Sequence, residues 1–222
     1  TSTNEYFALN LSPETIYYWR VIPSNRCGIA NQNSANVSAF ATGAIVCDQS
    51  FSATDYSNAS IASVANSTAS VPLTITGGYT IGDLNIHLNI THTYVQDMTI
   101  LLEGPAAIGS PVITLFQEAC GDNDDIDCTL DDSGSDPQCS GTPSISGNIA
   151  PFESLSSLNT LPADGEWILR VNDPWNGDGG TINLFSIDLC RISPATLSVS
   201  NTSFNNINVF PNQTKGTINV VI

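Results

Sequence analysis

Apolar residues recur at every second position of this chain, in short runs separated by Gly, Pro, Asn and Asp. Leu84, Ile86, Leu88 and Ile90 form one run, Met98, Ile100 and Leu102 the next, and Val112 to Phe116 a third. A strand turns successive side chains to opposite faces, so such a run buries one face of a sheet and leaves the other in water. No long segment with a 3.6-residue period competes with this pattern. The expectation is an all-β protein built as a sandwich or barrel.

The segment Gly165 to Asn183 states the pattern most fully. Trp167, Leu169 and Val171 alternate with outward residues. An acidic turn from Asp173 to Gly180 follows, built from residues that tolerate left-handed backbone and supply oxygen atoms. A further run then reaches Phe185, Ile187 and Leu189. By contrast, residues 117–164 hold few apolar positions and read as one long irregular region. A loop of that length in a compact domain is usually functional or pinned by cross-links.

Charge removes several classes of partner. Five Lys and Arg face 21 Asp and Glu, for a formal charge of −16. Nucleic acid and anionic membrane need a positive surface, so neither is expected as a partner. The acids are densest between Gly121 and Asp136, which points to a bound cation as well as to solubility. Six cysteines, with many Asn, Ser and Thr and little Lys, indicate a secreted or cell-surface protein. No run of about twenty apolar residues is present, so no membrane span is expected. Thr1 opens no signal peptide, and a leader is expected either to have been removed or to lie upstream.

Three units follow along the chain. Residues 1–43 carry Leu11-x-Pro13-x-Thr15-x-Tyr17-x-Trp19-Arg20-Val21 and then Phe40-Ala41-Thr42. This resembles the last strands of a fibronectin type III module, of which these residues are about half. Residues 44–192 form the main unit. Residues 193–222 are an Asn- and Ser-rich linker ending in Phe210-Pro211-Asn212-Gln213, Lys215-Gly216 and a strand-like run. That ending resembles the start of the C-terminal sorting domain of type IX secretion cargo, which implies the secretion machinery as a partner of the tail.

The main unit resembles the P domain (P/Homo B) of the proprotein convertases, over roughly residues 47–191. Three pieces carry the likeness in order: Thr91-His92-Thr93-Tyr94-Val95-Gln96-Asp97 running on to Glu103-Gly104-Pro105; Cys120-Gly121-Asp122-Asn123-Asp124-Asp125 with Thr129-Leu130-Asp131-Asp132; and the Gly165–Asp188 segment. It departs from the family pattern in Glu103-Gly104 before Pro105 and in Phe185 for the usual Trp. The resemblance implies a jelly-roll-like β-sandwich with a non-catalytic role. It would stabilise or orient the catalytic domain of a secreted bacterial endopeptidase of serine or zinc type. The alternative is a carbohydrate-binding or cell-surface module of an adhesin or glycan-degrading protein. Trp175, expected to be exposed in its turn, is the one feature that speaks for it.

Calcium is the expected cofactor, because it takes six to eight oxygens from carboxylates, amides and backbone. Asp122, Asp124, Asp125, Asp131 and Asp132 fall close together in sequence, and Asp97 is a long-range candidate to join them. Asp173 and Asp178 form an alternative cluster. The spacing is not that of an EF-hand. Six cysteines allow fifteen connectivities, and sequence does not choose among them. The preferred pairs are Cys120–Cys139, across the acidic loop, and Cys47–Cys190, between the first and last strands, which leaves Cys27 and Cys128 to pair or stay free. His87 is expected on an outward strand face in solvent, and His92 as a structural part of its turn. No nucleophile motif is present, so no catalytic residue is assigned.

Overall fold

The computed structural model describes residues 8, 11–22, 24–25, 28–29 and 37–194; the tail motif and Cys27 lie outside the described residues. Fourteen strands run through them, with three single turns of 3-10 helix. β1 (Ile16–Trp19), β2 (Ser24–Asn25), β3 (Gly28–Ile29) and β4 (Ser38–Ala41) precede the main unit. β1 pairs antiparallel with β4, and Tyr17 stacks on its register partner Phe40 with ring centroids 5.7 Å apart.

The main unit holds β5 (Ala44–Ser52), β6 (Ser60–Ile61), β7 (Ser67–Ile75), β8 (Ile81–His92), β9 (Thr99–Glu103), β10 (Val112–Gln117), β11 (Ile126–Ser135), β12 (Ile145–Ile149), β13 (Gly165–Asp173) and β14 (Gly180–Ser193). Two sheets result. One has the order β10-β9-β13-β7; the other has the order β12-β11-β8-β14-β5, with β6 beside β14. Every pairing in the main unit is antiparallel except β11 with β12. Chain neighbours thus repeatedly part to opposite sheets, as β7 and β8 do, which closes an all-β sandwich.

The inner faces supply one core. Ala69, Val71, Leu73 and Ile75 of β7 join Trp167, Leu169 and Val171 of β13, and the β8 run Leu84, Ile86, Leu88 and Ile90 lies in the same buried cluster. A fully buried Leu or Ile contributes about 1.5–3 kcal/mol relative to an exposed one, so these alternating positions outweigh any single polar contact. Trp167 is fully buried, and its indole N–H donates to the Ala163 carbonyl at 2.9 Å, which removes the cost of burying that group. In β14 the inward phase changes from Ile182 to Phe185, Ile187 and Leu189, and the register of its pairing with β8 shifts between Ile182 and Leu184. That bulge turns Leu184 outward.

Two disulfides staple this unit. Cys47 is bonded to Cys190 across β5 and β14, and Cys120 is bonded to Cys139. On the chain-entropy account the first, closing 143 residues, contributes about 5 kcal/mol, and the second, closing 19, about 3 kcal/mol. Such bridges belong to an oxidising, extracellular setting. Among the described residues no helix is long and apolar enough to cross a membrane.

The region 117–164 is not one irregular loop. It contains β11, a ten-residue strand inside the larger sheet, as well as β12 and the 3-10 turn Leu155–Leu158. Ile126, Cys128 and Leu130 are the inward residues of β11. Asp127, Asp131 and Asp132 sit among them and disguise the period-two signal. Cys128 is a buried free thiol, pushed up to about 12 by burial and by the charge of Asp127. It is therefore inert packing rather than a nucleophile.

Candidate metal centre

The acidic residues do not converge on one site. Asp125 stands just before β11 and Asp131 and Asp132 lie along it, with Ile126 opposite Ile90 and Leu130 opposite Ile86. At about 3.3 Å per residue, Asp125 and Asp131 are about 20 Å apart, too far to share an ion. One group of acids gathers where β8 ends, the other where β8 begins.

At the β8 end, residues 120–125 lie against residues 92–97. The Val95 N–H donates to the Asn123 carbonyl and the Gln96 N–H to the Gly121 carbonyl. Asp125 and His92 bond reciprocally: the His92 N–H donates to Asp125 Oδ1 at 2.9 Å, and the Asp125 N–H donates to the His92 carbonyl at 3.0 Å. The Cys120–Cys139 bridge anchors the start of this loop. Asp122 and Asp124 are exposed here.

The turn between β13 and β14 closes over the same end. The His92 imidazole is buried, with Nε2 3.2 Å from Asp173 Oδ2, itself buried, and Nδ1 3.0 Å from the Tyr94 carbonyl. The Trp175 N–H donates to Asp173 Oδ1 at 2.8 Å, and Thr93 Oγ1 donates to Asp178 Oδ1 at 2.8 Å. Asp97 is half-buried beside them. Burial first, then the charges of Asp173 and Asp178, push its carboxyl above the ordinary value, and His92 offsets this only in part. The charges of Asp173 and Asp178 thus reach Asp97 from positions more than seventy residues away in sequence. Among the described residues no three His, Cys, Asp or Glu side chains converge as a ready-made metal shell. The carboxylates and backbone carbonyls at this end are hard oxygen donors, the type that calcium takes.

The acids at the start of β8 are already engaged. Asp131 Oδ1 accepts from the Ser133 N–H at 2.7 Å, which holds its carboxyl below the ordinary value. Asp132 accepts from the Leu155 and Ser156 N–H groups, both at 2.8 Å, and from Ser154 Oγ at 2.7 Å. It ties the 3-10 turn Leu155–Leu158 to β11. Asp83, not singled out from the sequence, lies beside them; burial, then the charges of Asp131 and Asp132, push it up.

Two other arrangements escaped the sequence. Asp164 accepts from the Gly77, Gly78 and Tyr79 N–H groups at 2.8–3.1 Å and is held low, chiefly by the Gly78 bond. The Gly77-Gly78 pair was the available signal. His87 does point outward, but it is bound rather than solvated. Its Nε2 is 2.7 Å from Asp188 Oδ2 and its Nδ1 is 2.8 Å from Thr129 Oγ1, at a groove of about 420 Å³ on the outer face of the larger sheet. Burial pushes the Asp188 carboxyl up, yet hydrogen bonds from Ser50 and His87 outweigh it and leave it below the ordinary value. Trp167 is core and Trp175 is 62% exposed, as the strand and turn positions imply.

The His92 turn, the acidic loop after Cys120 and the β13–β14 hairpin all fall within one stretch that is similar to a known family. Residues 81–189 match the proprotein convertase P-domain. The match begins with β8 and ends within β14, while β5 and β7, outside it, complete the two sheets of the sandwich. Among solved structures, the crystal structure of a serine protease of Aeromonas sobria is similar, with 19% identity over 65% of this chain and a TM-score of 0.40. The likeness spans 26% of that protease chain. No curated protein matches this chain.

Proposed function

We propose that this chain provides the non-catalytic P domain of a secreted endopeptidase, stabilising or orienting a protease domain elsewhere in the same protein. The family match over residues 81–189 is the observation that supports this reading most directly. The two disulfides suit a secreted protein. In the same reading the β1–β4 pair is the end of a fibronectin-like module, and the tail beyond Pro194 addresses type IX secretion. Excising residues 44–192 from the full-length protein tests the role. The expected outcome is loss of folded, active peptidase; full yield and activity without these residues would overturn it.

Within this reading the end of β8 holds a structural calcium ion. Asp97, Asp173 and Asp178 are its carboxylate ligands, and the carbonyls of residues 120–125 lie close by. The support is electrostatic: the charges of Asp173 and Asp178 reach the half-buried Asp97, which is pushed toward its neutral form unless a cation neutralises the group. Thermal unfolding in EDTA and then in calcium tests the ion separately from the partner. A calcium-dependent rise in Tm is expected; an unchanged Tm would remove the ion and leave the P-domain role intact.

A further inference from the structure

The turn over the acidic end carries Asn176-Gly177, the chain's single Asn-Gly dipeptide. Both residues are exposed. Gly177 has φ +115°, and nothing lies within 4 Å of the position a Cβ would take, so the space around its nitrogen is open. Its N–H donates none of the hydrogen bonds found among the described residues. These are the conditions under which a backbone nitrogen can reach the preceding side-chain amide.

We propose that Asn176 is a site of spontaneous deamidation, which places a further carboxylate in the turn that faces Asp97. The Gly177 nitrogen, losing its proton to solvent, attacks the Asn176 side-chain carbonyl carbon. The new C–N bond closes a five-membered succinimide, and the side-chain nitrogen leaves as ammonia. Water then opens the ring at either carbonyl, giving aspartate or isoaspartate. One water enters and one ammonia leaves, with no change of oxidation state. Only glycine leaves the attacking nitrogen unshielded by a Cβ.

The chain supplies its own controls. Once the Cys47–Cys190 bridge is reduced, cleavage after Arg170 and Arg191 releases Val171–Arg191, which also contains Asn172 and Asn183. Asn172 lies in β13, where Thr68 Oγ1 donates to its Oδ1 at 3.2 Å. Asn183 lies in β14, where its Nδ2 donates to Asn89 Oδ1 at 3.0 Å. Both are held in ladders and followed by residues with side chains, so neither can close the ring readily.

The product matters because of where the turn sits. Asp178 is gripped by Thr93, Asp173 by the Trp175 N–H, and Asp97 already feels both charges. A new negative charge two residues before Asp178 raises this repulsion in the free chain and adds an oxygen donor when a cation is present. The isoaspartate product also lengthens the backbone by one carbon and shifts Asp178 against Thr93. The consequence for the cation rests on the calcium reading; the modification itself does not.

The test is to hold the folded chain in mildly alkaline buffer with EDTA, then reduce it, digest it with trypsin and locate the mass change by fragmentation. A gain of one dalton at Asn176, with Asn172 and Asn183 unchanged and no gain in Asn176→Gln, supports the proposal. No gain at Asn176, or equal gains at all three, overturns it. The acidic form, isolated by anion exchange, is then titrated with calcium while Tm is followed. A midpoint shifted at least twofold from that of the fresh chain supports the link to the ion. An unshifted midpoint overturns that link while leaving the modification standing.

Discussion

The two ends of β8 gather the same residue type, each with one carboxyl raised by burial and by its neighbours' charges, but hold the remaining acids with different partners. Near Ile81, Asp131 and Asp132 spend their oxygens on the backbone N–H groups of Ser133, Leu155 and Ser156. Near His92, the Trp175 N–H and the buried imidazole hold Asp173 and Thr93 holds Asp178, while Asp97 feels the charge of both without a donor of its own among these bonds. A carboxylate satisfied by backbone donors is a structural tie. Carboxylates left to repel each other need a cation or a proton. Acid density along a chain therefore says less about ion binding than the count of donors each carboxylate has already used.

The largest effect is expected from His92→Phe. It leaves the buried Asp173 Oδ2 without its hydrogen-bond partner, at a cost of about 3 kcal/mol. Urea unfolding measures it, and a loss under 1 kcal/mol would show that the pair matters little. Next comes calcium itself. At a hundredfold excess over Kd an ion bound only by the folded state adds about 2.7 kcal/mol. Asp97→Asn should abolish that gain, while Asp132→Asn should keep it. Equal losses in the two variants would erase the distinction between the ends. Asp132→Ala should cost about 1–2 kcal/mol, as for a lost capping side chain, with or without calcium. A calcium-dependent cost there would return Asp132 to the ion site.

The smallest effect concerns protons. The folded value of Asp83 is raised, so its contribution to stability is complete below the ordinary carboxylate value of 3.8 and is lost as pH rises through the folded value. Asp131 is lowered, and its contribution is present above 3.8 and lost as pH falls through its folded value. Tm measured downward from neutral pH should rise slightly as Asp83 takes up its proton, before acid unfolding begins. Asp97 is raised as well, so Asp83→Asn should reduce that rise, and Asp83→Asn combined with Asp97→Asn should remove it. A rise that persists in the double variant would assign it to another group.

Much of the architecture is legible in the chain because burial leaves a period. Leu84 to Ile90 and Trp167 to Val171 could be read as half-buried strands without coordinates, and they are inward-facing in the core. β11 could not be read so easily, since Asp127, Asp131 and Asp132 dilute its three inward residues. The outward position of His87 followed from the period of two, but its partners Asp188 and Thr129 did not, because they come from neighbouring strands 101 and 42 residues away. The same applies to Asp97 with Asp173 and Asp178: each was a candidate, and only their grouping was hidden.

The amino-acid sequence by itself determined the all-β class, the inward residues of most strands and the family motif across residues 81–189. These depend on local alternation and short spacings, which a chain carries whether folded or not. The tertiary structure alone decided which acids share an end of the sandwich, which are tied to backbone, and which histidine is buried against an aspartate. Strand pairing sets those facts, and pairing joins positions by register across the sheet rather than by distance along the chain.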